Sequence, residues 1–472
     1  MTQRLSWLIL ILAAVALRLP DIGNPLIDVD EQMYLLVGQR MWEGAIPYVD
    51  IWDRKPIGLF LIAAAARGLP GDPVVAYHLL ALAAAAATAG LIATMARRHA
   101  GAAGALAAGL LYLVWLELLG GRGGQSPVFY DLAIVAAALL TRDTIAGRRR
   151  AAIPAMLLAG LALQIKPTAV FEGCFFGIAL LGATWQRHRN PARLAAAAAL
   201  YAASALLPTI AAAAAYAGMG HGGAWWFATI ESIFLRQATP GDPIAARLAG
   251  VAVVLLVPAG LAIRGLIVRP DRFLTGWLAV AVVGWLLVPP YFNHYALPLL
   301  VPIAVCAAAA LDRRAMQALA AVAGGALLLF SGYPHRGDTA DMRQRVATLA
   351  RVIDRMRGQG CLFLVQAPPV LYDATDSCLP TRYPFPFHLV EASEARAIGI
   401  DPTQEVARIL AARPPVIAVG DIPRNRRRPG VILVHRALAR HYRAVARDLG
   451  VTVYRRMPAA APPARPGNTH GT

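Results

Sequence analysis

Four long tracts without a formally charged side chain, residues 73–96, 194–230, 273–311 and 315–335, set the first limit on what this chain can fold into. A bilayer crossing takes about 20 apolar residues, so these tracts alone hold roughly six crossings. Shorter uncharged tracts at 5–17, 100–116, 151–165, 173–186 and 248–263 raise the expectation to about eleven. With 58% apolar and 15% charged residues, 472 residues lack the charge to coat a water-soluble globule of this size, which excludes a soluble enzyme. The chain is read as a polytopic α-helical membrane protein.

A formal charge of +18 raises the question of nucleic acid, and the positions of the cations answer it. Arg97, Arg98, then Arg142 and Arg148 to Arg150, then Arg187, Arg189 and Arg193, then Arg264, Arg269 and Arg272, then Arg313 and Arg314 punctuate every second gap between spans. That alternation is the positive-inside pattern, so no nucleic-acid partner is expected, and the partners read here are membrane lipids. It places the arginine clusters in the cytoplasm and the acidic stretch 21–53 outside. Span one also admits a second reading as a cleavable signal, with Ala14 and Ala16 at small-x-small spacing.

Of 45 basic side chains only Lys55 and Lys166 are lysines. Both precede proline, and both fall on the external side. In so arginine-rich a chain a lysine suggests a use for a compact ammonium on a flexible stem, a point charge suited to phosphate. Snorkelling at a helix end is the plainer alternative.

Residues 1–335 are assigned to the membrane portion, with a long external loop at about 20–71. Long loops tend to carry function. Within it, 31–43 reads as an amphipathic helix lying at the interface, and 56–66 as an apolar stretch that dips in without crossing. Spans five and six are short and meet outside at Lys166-Pro167. Trp225, Trp226 and Phe227 read as an interfacial belt between spans seven and eight. From residue 336 to 458 the pattern becomes charged and mixed α/β, a small extracytoplasmic domain by the span count. Its expected elements are helices at 339–357, 404–412 and 436–449 and strands at 362–365, 416–419 and 451–454. The Pro/Ala-rich tail 459–472 is expected to be disordered. Cys174 and Cys306 fall within spans, whereas Cys361 and Cys378 lie outside, where a bridge across a loop of about 17 residues is favoured over two free thiols.

Asp28, Asp30 and Glu31 crowd three carboxylates just outside span one. Like charges so close raise at least one pKa, which suits a general base or a metal site, while acids at a helix start also simply complement its dipole. Asp131 lies just inside an uncharged helix start, and Glu172 lies six residues beyond Lys166. Ionisable groups at such depth suggest function, with pairing to a neighbouring cation as the alternative. Arg54, Arg122 and His294 complete an external face able to hold an anionic headgroup whose tail stays in the bilayer.

Asp30-Glu31-Gln32-Met33-Tyr34 after span one, then Gly44-Ala45-Ile46-Pro47-Tyr48 and Trp52-Asp53-Arg54-Lys55-Pro56, resemble the GT-C membrane glycosyltransferases. The resemblance covers about residues 1–335 and is to the family 39-like group of protein O-mannosyltransferases and lipid A aminoarabinose transferases. It implies that Asp30 is the catalytic carboxylate and Asp131 the second carboxylate of the site, while Glu31 and Asp131 are read as shaping the pKa of Asp30 or positioning the acceptor. It further implies that Lys55 contacts a lipid phosphate and that Lys166 is the lysine between the short fifth and sixth spans. Tyr34, Arg54, Arg122 and His294 join the expected substrate contacts. Met33, Ile57 and Pro167 depart from the aminoarabinose-transferase pattern, which leaves the sugar open. The C-terminal run Leu379-Pro380-Thr381-Arg382-Tyr383-Pro384-Phe385-Pro386 resembles the tails of related bacterial chains, and Arg382 is read as an acceptor contact or a structural residue.

The function expected is an inverting glycosyltransferase that moves a sugar from a polyprenyl-phosphate donor to a lipid, glycan or protein acceptor on the outer face of a bacterial inner membrane. No cofactor is required, because lysines can neutralise a phosphomonoester leaving group, although a diphosphate would favour a divalent cation. A transporter or lipid-linked-sugar flippase is the alternative. It predicts charges at the bilayer midplane and broken helices in both halves, whereas the groups named above cluster on one external face.

Overall fold

The computed structural model describes residues 2–237, 241–334, 338–420 and 427–458. The expected disordered tail and the boundary at 335/336 lie outside the described residues. In chain order the membrane portion comprises α1 (Gln3–Arg18), α2 (Val29–Trp42), α3 (Ile57–Arg67), α4 (Pro73–Ala96), α5 (Ala102–Leu118), α6 (Ser126–Ile145), α7 (Ala152–Leu163) and α8 (Val170–His188). It continues with α9 (Pro191–Gly218), α10 (Gly222–Trp226), α11 (Ser232–Leu235), α12 (Ile244–Val268), α13 (Arg272–Leu286), α14 (Leu300–Ala307) and α15 (Arg314–Phe330). Five described helices, Gln3–Asp21, Pro73–Ala96, Pro167–His188, Pro191–Gly218 and Ile244–Val268, are long and apolar enough to cross a membrane, and shorter apolar helices lie among them. This is a multi-pass membrane protein.

Alanine and glycine explain how the helices meet. Helix α4 is apolar on every face and packs against α1, α3, α5 and α6. A helix of that kind belongs in the interior of a bundle. Gly90 of α4 receives the Trp7 ring, and Gly109 of α5 lies against Leu10 and the Ala89 carbonyl. Close backbone approach over small residues is how helices associate where lipid is as apolar as leucine. Helix α9, by contrast, buries only Ser204 and Tyr216, and presents Leu200, Leu206, Leu207 and Ile210 outward.

Two expectations about the segments read as external change. Helix α2 does not lie at an interface with one wet face, because Glu31 through Gly38 are all buried. Its second face is covered by protein: α3 packs on one side, Gly38 against the Ala63 backbone, and α17 (Val370–Ala374) from the C-terminal segment on the other. The Val370 N–H donates to Gln32 Oε1 at 3.2 Å across that contact. The Trp225-Trp226-Phe227 belt also divides. Trp225 is buried, Trp226 is exposed, and Phe227 opens a π-helical turn, Phe227–Glu231, that packs against Gly399.

The C-terminal segment holds α16 (Asp338–Arg357), β1 (Leu362–Val365), α17, α18 (Pro402–Ala411), β2 (Val416–Gly420), α19 (Pro429–His441), β3 (Tyr442–Asp448) and β4 (Val451–Arg456). The strands form one sheet in the order β1-β2-β4-β3, with β1 and β2 parallel and the other pairs antiparallel. The helix expected to reach 449 stops at His441, and 442–448 is β3 instead. Leu449 and Gly450 both adopt positive φ (55° and 70°), the two-residue turn whose twist suits a tight hairpin. That turn folds β3 back on β4, and cross-strand pairing overrides the weak helical pattern. The expected Cys361–Cys378 bridge is present, tying the start of β1 to the segment after α17.

Candidate functional site

Helix α2 begins with its acids, and its first turn is built from them. Asp28 is the N-cap and accepts from the Asp30 N–H at 2.7 Å, satisfying one of the helix's free donors. Asp30 and Glu31 then diverge, because neighbours on a helix point about 100° apart. Glu31 turns into the protein. Its Oε1 meets His78 Nε2 at 2.6 Å, and its Oε2 accepts from the Gly124 N–H at 2.6 Å. The Gly23 N–H donates to His78 Nδ1 at 2.9 Å, so Nε2 carries the hydrogen and donates to Glu31. Glu31 thus fastens α2 to α4 and to the glycine-rich turn at 120–125.

That turn is held from several sides. Arg18 donates to the Gly121 and Gly123 carbonyls at 2.6 and 2.5 Å and pairs with Glu117 at 3.2 Å. Arg122, an expected substrate contact, is engaged with Asp21 at 2.5 and 2.8 Å. Glycine is required at 124, where the Tyr77 ring occupies the place of a Cβ while its hydroxyl donates to the Gly124 carbonyl at 2.7 Å. The turn delivers Gln125, which sequence reasoning did not single out. Its amide reaches Asp30 Oδ2 at 3.5 Å.

Lys55 arrives from the other side. Tyr48 has a left-handed φ of 72°, and its N–H donates to the Ile51 carbonyl at 2.7 Å, closing a tight turn ahead of Trp52. Asp53 then accepts from the Lys55 N–H at 3.0 Å. The ammonium stands 3.6 Å from Asp30 Oδ1 and 3.9 Å from Asp53 Oδ1, over the Tyr34 ring at 5.3 Å. His294 Nε2 lies 4.0 Å from Asp30 Oδ2, its ring stacked on Phe292. Lys166 lies over the Tyr295 ring at 4.6 Å. The structure therefore brings together Asp30, Lys55, Lys166, His294 and Tyr34.

Charge follows from that geometry. Burial pushes the Asp30 carboxyl up, but Lys55, His294, the Gln125 hydrogen bond and Lys166 together hold it below the usual carboxylate range. Asp28 shifts the other way. Burial first, then the Asp30 charge, raises it to about 7. Burial lowers Lys55, but Asp30 and Asp53 outweigh it and leave the ammonium firmly charged. Lys166 is lowered to about 8, by burial and then by the like charge of Lys55. The three crowded acids do not converge on a point, and among the described residues no three His, Cys, Asp or Glu side chains are grouped as a cation would need.

Asp131 and Glu172 lie deeper. Asp131, in the second turn of α6, is buried, accepts from the Tyr112 hydroxyl at 3.2 Å, and has Glu172 and Lys166 as charged neighbours. Glu172 accepts from the Trp277 indole N–H at 2.7 Å rather than pairing with a cation. Beside them opens a narrow, mostly apolar cleft between α8 and α13. Lys166 and Tyr295 stand on its wall with Tyr130, Phe171, Glu172 and Trp285. The Trp285 indole N–H has no hydrogen-bond partner there.

The remaining candidates sit one layer out. Arg54 is forked onto Glu394 of the C-terminal segment, with Nη1 to Oε1 at 3.0 Å and Nη2 to Oε2 completing the pair. Arg236 Nε reaches the same carboxylate at 3.1 Å and lies beside Tyr295. The Arg382 side chain lies over its neighbour Tyr383 and donates to its hydroxyl at 2.9 Å, while the Arg382 carbonyl accepts from the Trp52 N–H at 2.7 Å. Neither Arg236 nor Glu394 stood out in the sequence, since their meeting is purely tertiary.

The architecture is that of a helical membrane scaffold with an acid and two lysines beneath the loop that joins α2 to α3, covered by a C-terminal α/β segment. ArnT from Cupriavidus metallidurans bound to undecaprenyl phosphate has a similar fold, with a TM-score of 0.68 at 15% identity, over 97% of this chain and 99% of that one. The same protein in the apo state gives 0.66 at 16% identity, over 96% and 98%. ArnT is a lipid A aminoarabinose transferase of the GT-C group, the group that the motifs at 30–34 and 52–56 resemble. At this identity the likeness is one of fold. No protein-family model matches the chain, and no curated protein matches it in sequence.

Proposed function

We propose that this chain is an inverting glycosyltransferase that takes a hexosyl or pentosyl group from a polyprenyl-phosphate donor and passes it to a lipid, glycan or protein acceptor. The observation that carries the reading is the Asp30 carboxylate, 3.6 Å from Lys55 and close to His294, beside a Lys166 that stands on the wall of an apolar cleft. Such a cleft suits an isoprenoid tail, and the lysines suit its phosphate. The fold shared with an ArnT structure bound to undecaprenyl phosphate supports the same class of donor. The acceptor hydroxyl attacks the anomeric carbon as the bond to the phosphate oxygen breaks. The bonding pair departs with the polyprenyl phosphate, the anomeric configuration inverts, and Asp30 takes the hydroxyl proton. Lys55 and Lys166 stabilise the leaving phosphate. A monophosphate leaving group needs no metal in this scheme, and a diphosphate would call for a divalent cation. The alternation of arginine clusters along the sequence supports a reading of about eleven spans with the site and the C-terminal domain on the outer face of a bacterial inner membrane.

The test is mass spectrometry of envelope glycans and polyprenyl-phosphate sugars in a deletion strain complemented with wild type or with Asp30→Asn. A glycan lost on deletion, with its lipid-linked sugar accumulating and only wild type restoring both, is the expected result. Full restoration by Asp30→Asn at equal protein level removes Asp30 as the base.

A further inference from the structure

Three segments far apart in sequence meet at one buried carboxylate. The first is 52–55, which delivers Lys55. The second is the end of α11, and the third is 380–394 of the C-terminal segment. Glu394 is only 5% exposed at its side chain, and two arginines share it: Arg54 as a fork, and Arg236 through Nε at 3.1 Å. Ser232 Oγ accepts from Arg54 Nε at 3.3 Å, and the Gln237 N–H donates to the Ser393 carbonyl at 3.3 Å, so the same junction binds the second segment twice more. Trp52 closes the third side, its ring 4.8 Å from His388 and 5.6 Å from Tyr383. One carboxylate therefore serves two guanidinium groups, Arg54 through a hydrogen-bonded fork and Arg236 as an ion pair without a hydrogen bond at its Nε.

Neither arginine is remote from the site. Arg54 immediately precedes Lys55, and Arg236 lies beside Tyr295, whose ring carries Lys166. We propose that Glu394 is a positioning residue: through Arg54 and Arg236 it holds Lys55 and Tyr295 in register around Asp30, so that the C-terminal segment completes the donor site. The role rests on the transferase reading above. Without the carboxylate the two guanidinium groups repel each other and the mostly buried Arg54 loses its partner, a costly arrangement that moving the segments apart relieves.

Hydrogen exchange on the full-length protein in detergent reads the junction itself, and the complementation assay reads its consequence. Glu394→Gln is expected to speed amide exchange at 51–55 and 232–237 by about tenfold or more, while β1 and β2 stay protected. The envelope product falls by about tenfold or more at equal protein level, the scale set by misplacing reacting groups by ~1 Å. The charge swap Arg54→Glu with Glu394→Arg discriminates further. It rebuilds one pair, so 51–55 regains protection, but it sets a new cation against Arg236, so 232–237 does not. Should Glu394→Gln fail to give monodisperse protein, Arg54→Gln cuts the same link and carries the expectation for 51–55. Unchanged exchange in both segments overturns the proposal. Equal loss of protection in β1 and β2 overturns it too, reducing Glu394 to a fold residue. A glycan that the deletion abolishes but Glu394→Gln fully restores removes the positioning role alone. A deletion that abolishes no glycan removes the transferase reading, and the role resting on it, while exchange still reports whether the junction holds.

Discussion

Replacing Glu31 with glutamine separates a residue that acts on substrate from one that builds the site. Both Glu31 oxygens are acceptors, one for His78 Nε2–H and one for the Gly124 N–H, each at 2.6 Å, and the residue is 1% exposed. Glutamine offers one acceptor oxygen and one amide, so whichever way it lies, its NH2 confronts a donor. His78 cannot relieve this by changing tautomer, because its Nδ1 is already accepting from Gly23. The variant loses one hydrogen bond to a charged group, about 1.5–3 kcal/mol, and leaves a buried donor unpaired at about 1–3 kcal/mol. A net cost of about 3 kcal/mol follows, seen as a fall in Tm on the order of 5 °C for detergent-purified protein. Glu31→Gln should therefore lose thermal stability and retain part of its transfer activity in the cold, whereas Asp30→Asn, which leaves Lys55 its Asp53 partner, should lose transfer with a smaller fall in Tm. Wild-type Tm with activity abolished in Glu31→Gln would refute the reasoning and return Glu31 to the reacting atoms.

Lys166 titrates near 8, with the ammonium present below that pH and lost above it. Affinity for undecaprenyl phosphate in micelles should weaken as pH rises through about 8, and Lys166→Arg should remove the break; a flat profile from pH 7 to 9.5 in wild type contradicts this. Asp28 is raised from 3.8 to about 7, so the folded state binds its proton more tightly and the ionised group costs stability increasingly as pH rises across that window. Asparagine keeps the helix cap, so the Tm advantage of Asp28→Asn should widen between pH 5 and pH 8, by about 2 kcal/mol in free-energy terms, and a pH-independent gap counts against it. Gly124→Ala sets a Cβ into the Tyr77 ring, which its bond to the Gly124 carbonyl keeps in place. Overpacking there should cost about 1–3 kcal/mol and disturb Gln125 at Asp30, visible as lowered Tm together with lowered transfer.

The membrane helices were legible because lipid offers the backbone no hydrogen bonds, so an apolar tract has few options besides a helix. The same argument fails beyond residue 338, where 442–448 becomes a strand through its pairing with β4 and the turn at Leu449-Gly450. Lys55 and Lys166 were legible for a different reason, the rarity of lysine in an arginine-rich chain, and Asp30 through the crowding of acids after span one and the motif that contains it. The parting of Asp30 from Glu31 was not, since adjacency in sequence says nothing of a His78 partner 47 residues on. Arg54 was visible but its partner was not, because Glu394 lies 340 residues away. The covered second face of α2 belongs to the same class of miss: the helix was read correctly, but what lies over it came from another part of the chain.

The pair of lysines around Asp30 gives the molecule a built-in reporter. No other side chain in the sequence carries a primary amine. An amine-selective acylating reagent therefore marks, apart from the chain's own amino terminus, only Lys55 and Lys166. With its ammonium titrating near 8, Lys166 offers the larger share of free amine at neutral pH, and Lys55, held charged by Asp30 and Asp53, the smaller. The ratio of the two marks, followed by peptide mass as a lipid phosphate is titrated in, would read occupancy of the site in native membranes without any engineered label.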